Sequence, residues 1–264
     1  MYEFEYQRPD SVAKAVGAAG GEARYLGGGQ SLVQSMKLRL SSASTLVDPG
    51  GIDGLRGISR DGSSVKIGAM TRHSEVARSP DVRAAIPALA DLAGGIGDQM
   101  VRNMGTIGGS IANSDPAADY PAGVLGLGAT IQTDRRSIAA DDFFKDLFTT
   151  ALQPGELVVS VSFPVPQRAA YVKFKQPASR FALVGVFVSQ GGSGVRVAVT
   201  GARSHAFRVP QMEQALARDF RAQALDGIGI DAAGCNSDLH GSAEYRAAMV
   251  TVMARRAVEK ALAG

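Results

Sequence analysis

Two glycine-rich segments contain the residues whose types and spacing could do chemistry. The first is Gly27-Gly28-Gly29-Gln30-Ser31, which follows a short β-type run and precedes a helical pattern. Consecutive glycines let the backbone approach a ligand closely with positive φ. Several N–H groups can then converge on a phosphate, to which the terminus of the following helix adds positive dipole. A tight strand-to-helix turn without a ligand uses the same residues, so the first segment alone leaves both interpretations open.

Two common nucleotide-binding motifs do not fit the first segment. A Walker loop has Lys followed by Ser or Thr after its last glycine, whereas Gln30 and Ser31 follow here. The dinucleotide fingerprint G-x-G-x-x-G needs a closing glycine, and none follows Gly29 at the required spacing. The sequence therefore predicts neither a P-loop nor a Rossmann fold.

The second segment is Thr106-Ile107-Gly108-Gly109-Ser110, about eighty positions further along the chain. Polar turn residues, including Asn113 and Asp119, follow it. Two such segments could face each other across a cleft and bind both halves of a pyrophosphate. The pair predicts a dinucleotide that is bound without a Rossmann fold.

The hydrophobic pattern around both segments predicts an α+β fold. The predicted helices span 11–19, 32–38, 74–78, 81–93 and 242–262, and a short one follows Asp115–Pro116, where an acidic cap with proline at the first helical position is a start signal. The predicted strands span 2–6, 24–26, 45–47, 64–69, 156–163, 182–188 and 195–199, with a hairpin turn at 191–194. A boundary near 164–167 divides a larger N-terminal part from a smaller C-terminal part.

Composition excludes several classes of function. One cysteine, Cys235, and three well separated histidines predict no disulfide framework, no iron–sulfur cluster on this chain and no metal site. The 28 basic residues are interspersed with 25 acidic ones, so a nucleic-acid partner is not expected. No apolar run approaches the ~20 residues of a membrane span. The N-terminus has no signal pattern, so we expect a cytoplasmic protein without a membrane span.

The stretches RYLGGGQSLVQSMKLRL and VRNMGTIGGSIANSDPAADYPA resemble the FAD-binding subunit of the xanthine dehydrogenase family of molybdenum hydroxylases, which includes carbon monoxide dehydrogenase medium subunits. The likeness extends from Phe4, Tyr6, Arg8 and Pro9 to SAEYRAAMVTVMARRAV near the C-terminus. The resemblance implies a two-subdomain FAD-binding fold of the PCMH/vanillyl-alcohol-oxidase type over 1–166, with subdomains of about 1–60 and 61–166. A small α+β domain over 167–264 follows.

The resemblance also implies which residues hold FAD, and it implies no catalytic residue on this chain. The first segment would bind the pyrophosphate, and the second would approach the ribityl chain and the flavin. Asp119 matches a carboxylate that hydrogen-bonds cofactor hydroxyls, and Lys173 matches a lysine whose ammonium could stabilise reduced FAD. Arg180 stands where family members often carry an acidic residue. The implied FAD-binding residues are Gly27, Gly28, Gly29, Gln30, Ser31, Leu32, Thr106, Ile107, Gly108, Gly109, Ser110, Asn113, Asp119, Val158 and Lys173.

The function implied by the resemblance is electron relay. A large partner subunit with the molybdenum cofactor would oxidise the substrate, and a small partner with 2Fe-2S clusters would pass electrons to FAD, in a dimer of heterotrimers. FAD would then reduce an external acceptor. One alternative is a stand-alone FAD-dependent oxidase of related fold, for which the roughly one hundred residues after Pro164 are too few to form a substrate-capping domain. The other is a non-enzymatic anion-binding module, which would not need two glycine segments.

Overall fold

The strands of the computed structural model, which describes residues 1–264, form three sheets and a two-stranded ribbon. In chain order they are β1 (Glu5–Gln7), β2 (Arg24–Tyr25), β3 (Thr45–Val47), β4 (Ile58–Asp61), β5 (Ser64–Gly68), β6 (Thr130–Thr133), β7 (Ser137–Ala139), β8 (Phe144–Asp146), β9 (Thr149–Thr150), β10 (Val158–Pro164), β11 (Arg168–Lys175), β12 (Ala182–Gly191), β13 (Gly194–Thr200) and β14 (Phe207–Arg208). The first sheet is parallel, in the order β1-β3-β2. The second, β4-β5-β10-β6-β7, and the third, β11-β12-β13-β14, are antiparallel, and β8 pairs with β9.

The chain has ten short α-helices and one long α-helix near its C-terminus. They are α1 (Val12–Ala18), α2 (Leu32–Lys37), α3 (His73–Arg78), α4 (Pro80–Ala85), α5 (Pro87–Gly94), α6 (Gln99–Met104), α7 (Ile107–Asn113), α8 (Tyr120–Leu127), α9 (Ala140–Phe143), α10 (Pro210–Arg218) and α11 (Ala243–Ala263). Ser242 caps α11 by accepting a hydrogen bond from the Tyr245 N–H. The α+β expectation is confirmed.

The third sheet is buried because it separates two hydrophobic cores. On β12, Val184, Val186 and Val188 face a core completed by α10 and α11. The intervening Phe187 faces the larger core, which contains the second sheet and α3, α4, α5, α7 and α8. Side chains alternate between the two faces of a strand, so β12 reads as a continuous run of buried β-branched and aromatic residues.

The bounds of two predicted helices are wrong, each for a local reason. The helix predicted over 81–93 is two helices, α4 and α5, because Pro87 excludes the helical conformation at Ile86, which has φ −140° and ψ 70°. The helix predicted to follow Asp115–Pro116 exists as α8, but it begins only at Tyr120. Asp115 and Pro116 form a turn instead of the helix start, and in it the Asp115 carboxylate accepts a hydrogen bond from the Ala117 N–H at 2.8 Å.

Candidate functional site

The first glycine segment connects β2 to α2 and depends on glycine for its path. Gly28 has φ +105° and Gly29 has φ +76°, conformations that other residues rarely adopt. A Cβ atom at Gly28 would overlap the Met104 carbonyl group, and one at Gly27 would lie 2.8 Å from the Gly109 Cα atom. The segment is therefore packed directly against the second glycine segment.

The second glycine segment is the first turn of a helix rather than a loop. Thr106 caps α7, and its hydroxyl accepts a hydrogen bond from the Gly109 N–H at 3.2 Å. The same hydroxyl donates to the Gly27 carbonyl oxygen at 2.6 Å. A Cβ atom at Gly108 would lie 2.6 Å from the Ala69 Cβ atom, so the glycines of this segment serve close packing. One hydroxyl thus joins the two segments, which pack directly against each other rather than facing each other across a cleft.

The backbone N–H groups of the two segments differ in their hydrogen bonding. Those of 107–110 donate, in order, to the Thr71 carbonyl, the Ala69 carbonyl, the Thr106 hydroxyl and the Thr106 carbonyl. None of the N–H groups of 27–31 donates to another group of the chain. Four of these free donors belong to residues that line a cavity, Gly27, Gly29, Gln30 and Ser31, and together they form a cradle suited to an anion.

Both segments border a cavity of about 470 Å³. The predicted residues that line it are Gly27, Gly29, Gln30, Ser31, Leu32, Thr106, Gly108, Gly109, Ser110, Asn113, Asp119 and Val158. Gly28, Ile107 and Lys173 do not line it: Gly28 faces Met104, Ile107 is fully buried in the larger core, and Lys173 lies behind Asp119. The structure therefore brings the predicted set together, with these three in supporting positions.

Several lining residues are absent from the set predicted to bind FAD. Tyr25 donates its hydroxyl hydrogen bond to the Gly155 carbonyl oxygen at 3.0 Å, and burial raises the pKa of Tyr25 to about 12. Met70, Leu152 and Phe181 add apolar surface from three separate parts of the chain, and Phe181 is half-exposed. Only tertiary structure brings these side chains to one cavity.

His73 lies on the cavity wall beside the second glycine segment. Its backbone N–H donates to the Gly105 carbonyl oxygen at 3.0 Å, and its ring centroid lies 5.3 Å from that of Tyr120. Its Nδ1 atom and the Tyr120 hydroxyl are buried without a hydrogen-bond partner. Burial, helped by the charge of Arg102, lowers the pKa of His73 to about 4, so the imidazole is neutral near pH 7.

An ion pair between the buried Glu156 carboxylate and the exposed Arg136 side chain supports the strand that carries Val158. The Arg136 guanidinium donates two hydrogen bonds to the Glu156 carboxylate, at 2.9 and 3.0 Å, and the Thr133 hydroxyl donates a third at 2.8 Å. The Arg136 guanidinium is the main reason why the pKa of Glu156 is lowered to about 2. Glu156 therefore remains ionised and holds the entry to β10 rigidly at the cavity.

The chain contains no cluster of three His, Cys, Asp or Glu side chains that could hold a metal ion. None of its helices combines the length and the apolar character needed to cross a bilayer.

Comparison with known proteins identifies the family. Residues 2–166 match the family described as "FAD binding domain in molybdopterin dehydrogenase". The chain is 37% identical to the carbon monoxide dehydrogenase medium chain of Hydrogenophaga pseudoflava, over 98% of this chain and 97% of that one. It is 32% identical to the nicotine 6-hydroxylase medium subunit of Paenarthrobacter nicotinovorans, over 98% and 97%.

A solved structure shows the same fold. It is that of the carbon monoxide dehydrogenase from Hydrogenophaga pseudoflava which lacks the Mo-pyranopterin moiety of the molybdenum cofactor. It superposes with a TM-score of 0.89 at 36% identity, covering 99% of this chain and 98% of that one. Because chains named as medium subunits match from end to end, the alternative of a stand-alone oxidase is not supported. The chain belongs to the family of FAD-binding subunits of molybdenum hydroxylases, which are oxidoreductases.

Proposed function

We propose that the cavity binds FAD, with the pyrophosphate against the N–H groups of 27–31. The observation that carries this proposal is the set of backbone N–H groups in 27–31 that donate to no group of the chain, four of which belong to residues lining the cavity. Their segment lines the cavity and precedes α2, whose N-terminus adds positive dipole. A dinucleotide pyrophosphate carries the negative charge and the acceptor oxygens that such a cradle needs.

The remaining predicted residues divide into those that face FAD and those that support them. Ser110, Asn113, Asp119 and Val158 line the cavity beyond the first segment and are positioned to contact the ribityl chain and the flavin. Thr106, Gly108 and Gly109 border the cavity while holding the two segments together. Gly28, Ile107 and Lys173 do not line the cavity, and they support the residues that do. The N–H groups of the second segment already donate to other groups of the chain. We therefore expect this segment to lie near the pyrophosphate without donating N–H hydrogen bonds to it.

The proposed role of the subunit is electron relay. Bound FAD supplies the capacity to take up electrons and release them to an external acceptor, and this chain positions it and shields it from water. A large molybdenum-cofactor subunit and a small 2Fe-2S subunit are the proposed partners, in a dimer of heterotrimers in the cytoplasm. End-to-end similarity to medium chains of multi-subunit dehydrogenases supports this organisation. The substrate is then selected by the large subunit.

We propose that the chain divides into an FAD-binding domain over 1–166, with subdomains of about 1–60 and 61–166, and a C-terminal α+β domain over 167–264. The parallel first sheet and the antiparallel second sheet support the two subdomains. The third sheet with α10 and α11 has a core of its own, which supports the C-terminal domain.

The test is to purify the complex through a tag on this chain, record its absorption spectrum, and analyse its metals and the flavin released on denaturation. The expected result is releasable FAD with co-purifying molybdenum and iron. Flavin without these metals, reduced directly by an organic substrate, would contradict the relay function. A chain that takes up no flavin when FAD is supplied would contradict the cofactor site itself.

A further inference from the structure

Two side chains of β11 converge on one carboxylate in the cavity wall. Tyr171 and Lys173 are two positions apart and therefore project from the same face of the strand. The Tyr171 hydroxyl donates to Asp119 Oδ1 at 2.5 Å, and the Lys173 ammonium lies 2.9 Å from Oδ1 and 3.0 Å from Oδ2. The strand belongs to the third sheet, whereas Asp119 precedes α8, so the contact joins two parts of the fold.

Packing around Tyr171 fixes the position of its hydroxyl group. The ring is 7% exposed and stacks on Phe187, with centroids 6.2 Å apart and planes inclined at 27°. A Cβ atom at Gly185, on the neighbouring strand, would overlap the Tyr171 hydroxyl. The glycine at position 185 therefore provides the space in which the hydroxyl reaches Asp119.

The Lys173 ammonium fully uses its three donors. Besides Asp119, it donates to the Gly95 carbonyl oxygen and the Arg180 carbonyl oxygen, each at 2.9 Å. These carbonyls belong to two segments, 95–97 and 179–181, which we call the rim segments, because Ile96, Gly97, Ser179 and Phe181 line the cavity. No donor of Lys173 remains for a flavin atom, so the ammonium acts through what it holds.

Asp119 retains the capacity to bind a ligand after these contacts. An ionised carboxylate has about four acceptor sites, and the one tyrosine donor and the one lysine donor occupy two of them. Burial raises the pKa of the Asp119 carboxyl, and the Lys173 charge and the Tyr171 hydroxyl oppose that rise. The residue is 4% exposed and its exposed edge lines the cavity. Its orientation therefore decides whether an acceptor faces the cavity.

We propose that Tyr171 and Lys173 are positioning residues that hold the Asp119 carboxylate towards a hydroxyl of bound FAD, while Lys173 ties the rim segments to the same point. This inference rests on the proposed FAD site and adds Tyr171, which no motif marks, to the residues that determine FAD affinity. It also changes the expected role of Lys173, which would orient the Asp119 carboxylate rather than contact the flavin directly.

A double-mutant cycle on the flavin-free full-length chain tests the proposal, with FAD affinity measured by titration of flavin fluorescence. Tyr171→Phe keeps the stacked ring and removes the hydrogen bond, and we expect it to weaken FAD binding roughly tenfold, as for a bond to a charged group. In an Asp119→Asn background the same substitution should change affinity by less than roughly twofold, because the group through which it acts is altered.

Tyr25→Phe is the matched control, because Tyr25 also donates its hydroxyl bond in the cavity wall but to the Gly155 carbonyl rather than to Asp119. Its effect should be the same in both backgrounds. A Tyr171→Phe effect that is also equal in both would overturn the positioning role while leaving the FAD site intact. Wild-type chain that does not bind FAD would instead overturn the proposed function. A second cycle with Lys173→Gln should show the same coupling to Asp119, and it keeps the proposal testable if Tyr171→Phe does not fold.

Discussion

The Thr106 hydroxyl is the group that links the two glycine segments by hydrogen bonds, and its removal should loosen the contact between them. It donates to the Gly27 carbonyl oxygen and accepts from the Gly109 N–H, and Thr106 is 3% exposed. Thr106→Val keeps the branched shape and deletes both hydrogen bonds. The groups that lose their partner, the Gly27 carbonyl and the Gly109 N–H, belong to half-buried residues that line the cavity, so the substitution should affect both folding and FAD binding.

The structure gives the expected magnitude. Loss of an N-cap costs about 1 kcal/mol, and loss of the hydrogen bond to the half-buried Gly27 carbonyl costs a further ~0.5–1.5 kcal/mol. We therefore expect the free energy of unfolding of the flavin-free chain to fall by ~1.5–2.5 kcal/mol. Because the first segment is no longer held against the second, FAD affinity should fall by at least roughly tenfold, which corresponds to ~1.4 kcal/mol.

The assay is urea unfolding of the full-length chain with and without FAD, together with an FAD titration. Thr106→Ser keeps the hydroxyl and should retain most of both properties. Ser242→Ala removes the cap of α11, outside the cavity lining, and should lower stability by ~1 kcal/mol without changing FAD affinity. A Thr106→Val chain that binds FAD as the wild type does, whatever its stability, would refute the joining role.

Three further outcomes follow from the site. Arg136 lowers the pKa of Glu156 to about 2, so the stability that Glu156 contributes is present above its unfolded pKa of about 4.5 and is lost as the pH falls from there towards 2. The urea midpoint of the chain should decline over this pH range. Glu156→Gln should make the midpoint less dependent on pH. The His73 imidazole, with a pKa of about 4, should show no NMR titration step near pH 6.5, and a step there would contradict its burial. Gly29→Ala should cost more than ~1 kcal/mol of stability and weaken FAD binding, because Gly29 has φ +76° and a Cβ atom there would lie 2.8 Å from the Val33 side chain. Gly20→Ala should change neither property, because the space around Gly20 is free.

The local chemistry of the first glycine segment could be predicted from the sequence because its conformation depends on its own residues. Positive φ at Gly28 and Gly29, and a helix that begins directly afterwards, are consequences of short-range sterics. The break between α4 and α5 was equally local, since Pro87 restricts the residue before it, and the helical periodicity of 81–93 concealed it. Where one segment decides its own backbone, the sequence is informative.

The second glycine segment shows where local reasoning is insufficient. Glycine is a poor helix former, so a loop is the natural prediction for 106–110. Tertiary hydrogen bonds override that propensity: the N–H groups of Ile107 and Gly108 donate to carbonyl groups next to β5, at 3.1 and 2.8 Å, and Thr106 caps the turn. The glycines are then required by packing against Ala69 and Gly27. Their presence was predictable, whereas their helical conformation was not.

The shape of the cavity depends on strand register, which is why Tyr171 carried no signal. In the pairing of β11 with β12, Tyr171 lies opposite Phe187 and Lys173 opposite Gly185, and a shift of one residue would turn both β11 side chains to the other face. That register is set by the two cores on either side of β12, far from either glycine segment. The N–H groups proposed to bind the pyrophosphate thus belong to one short segment, 27–31. The position of the Asp119 carboxylate, in contrast, depends on the packing of the third sheet. For this reason substitutions within the third sheet should alter FAD affinity through Asp119, even where they touch no atom of the cavity.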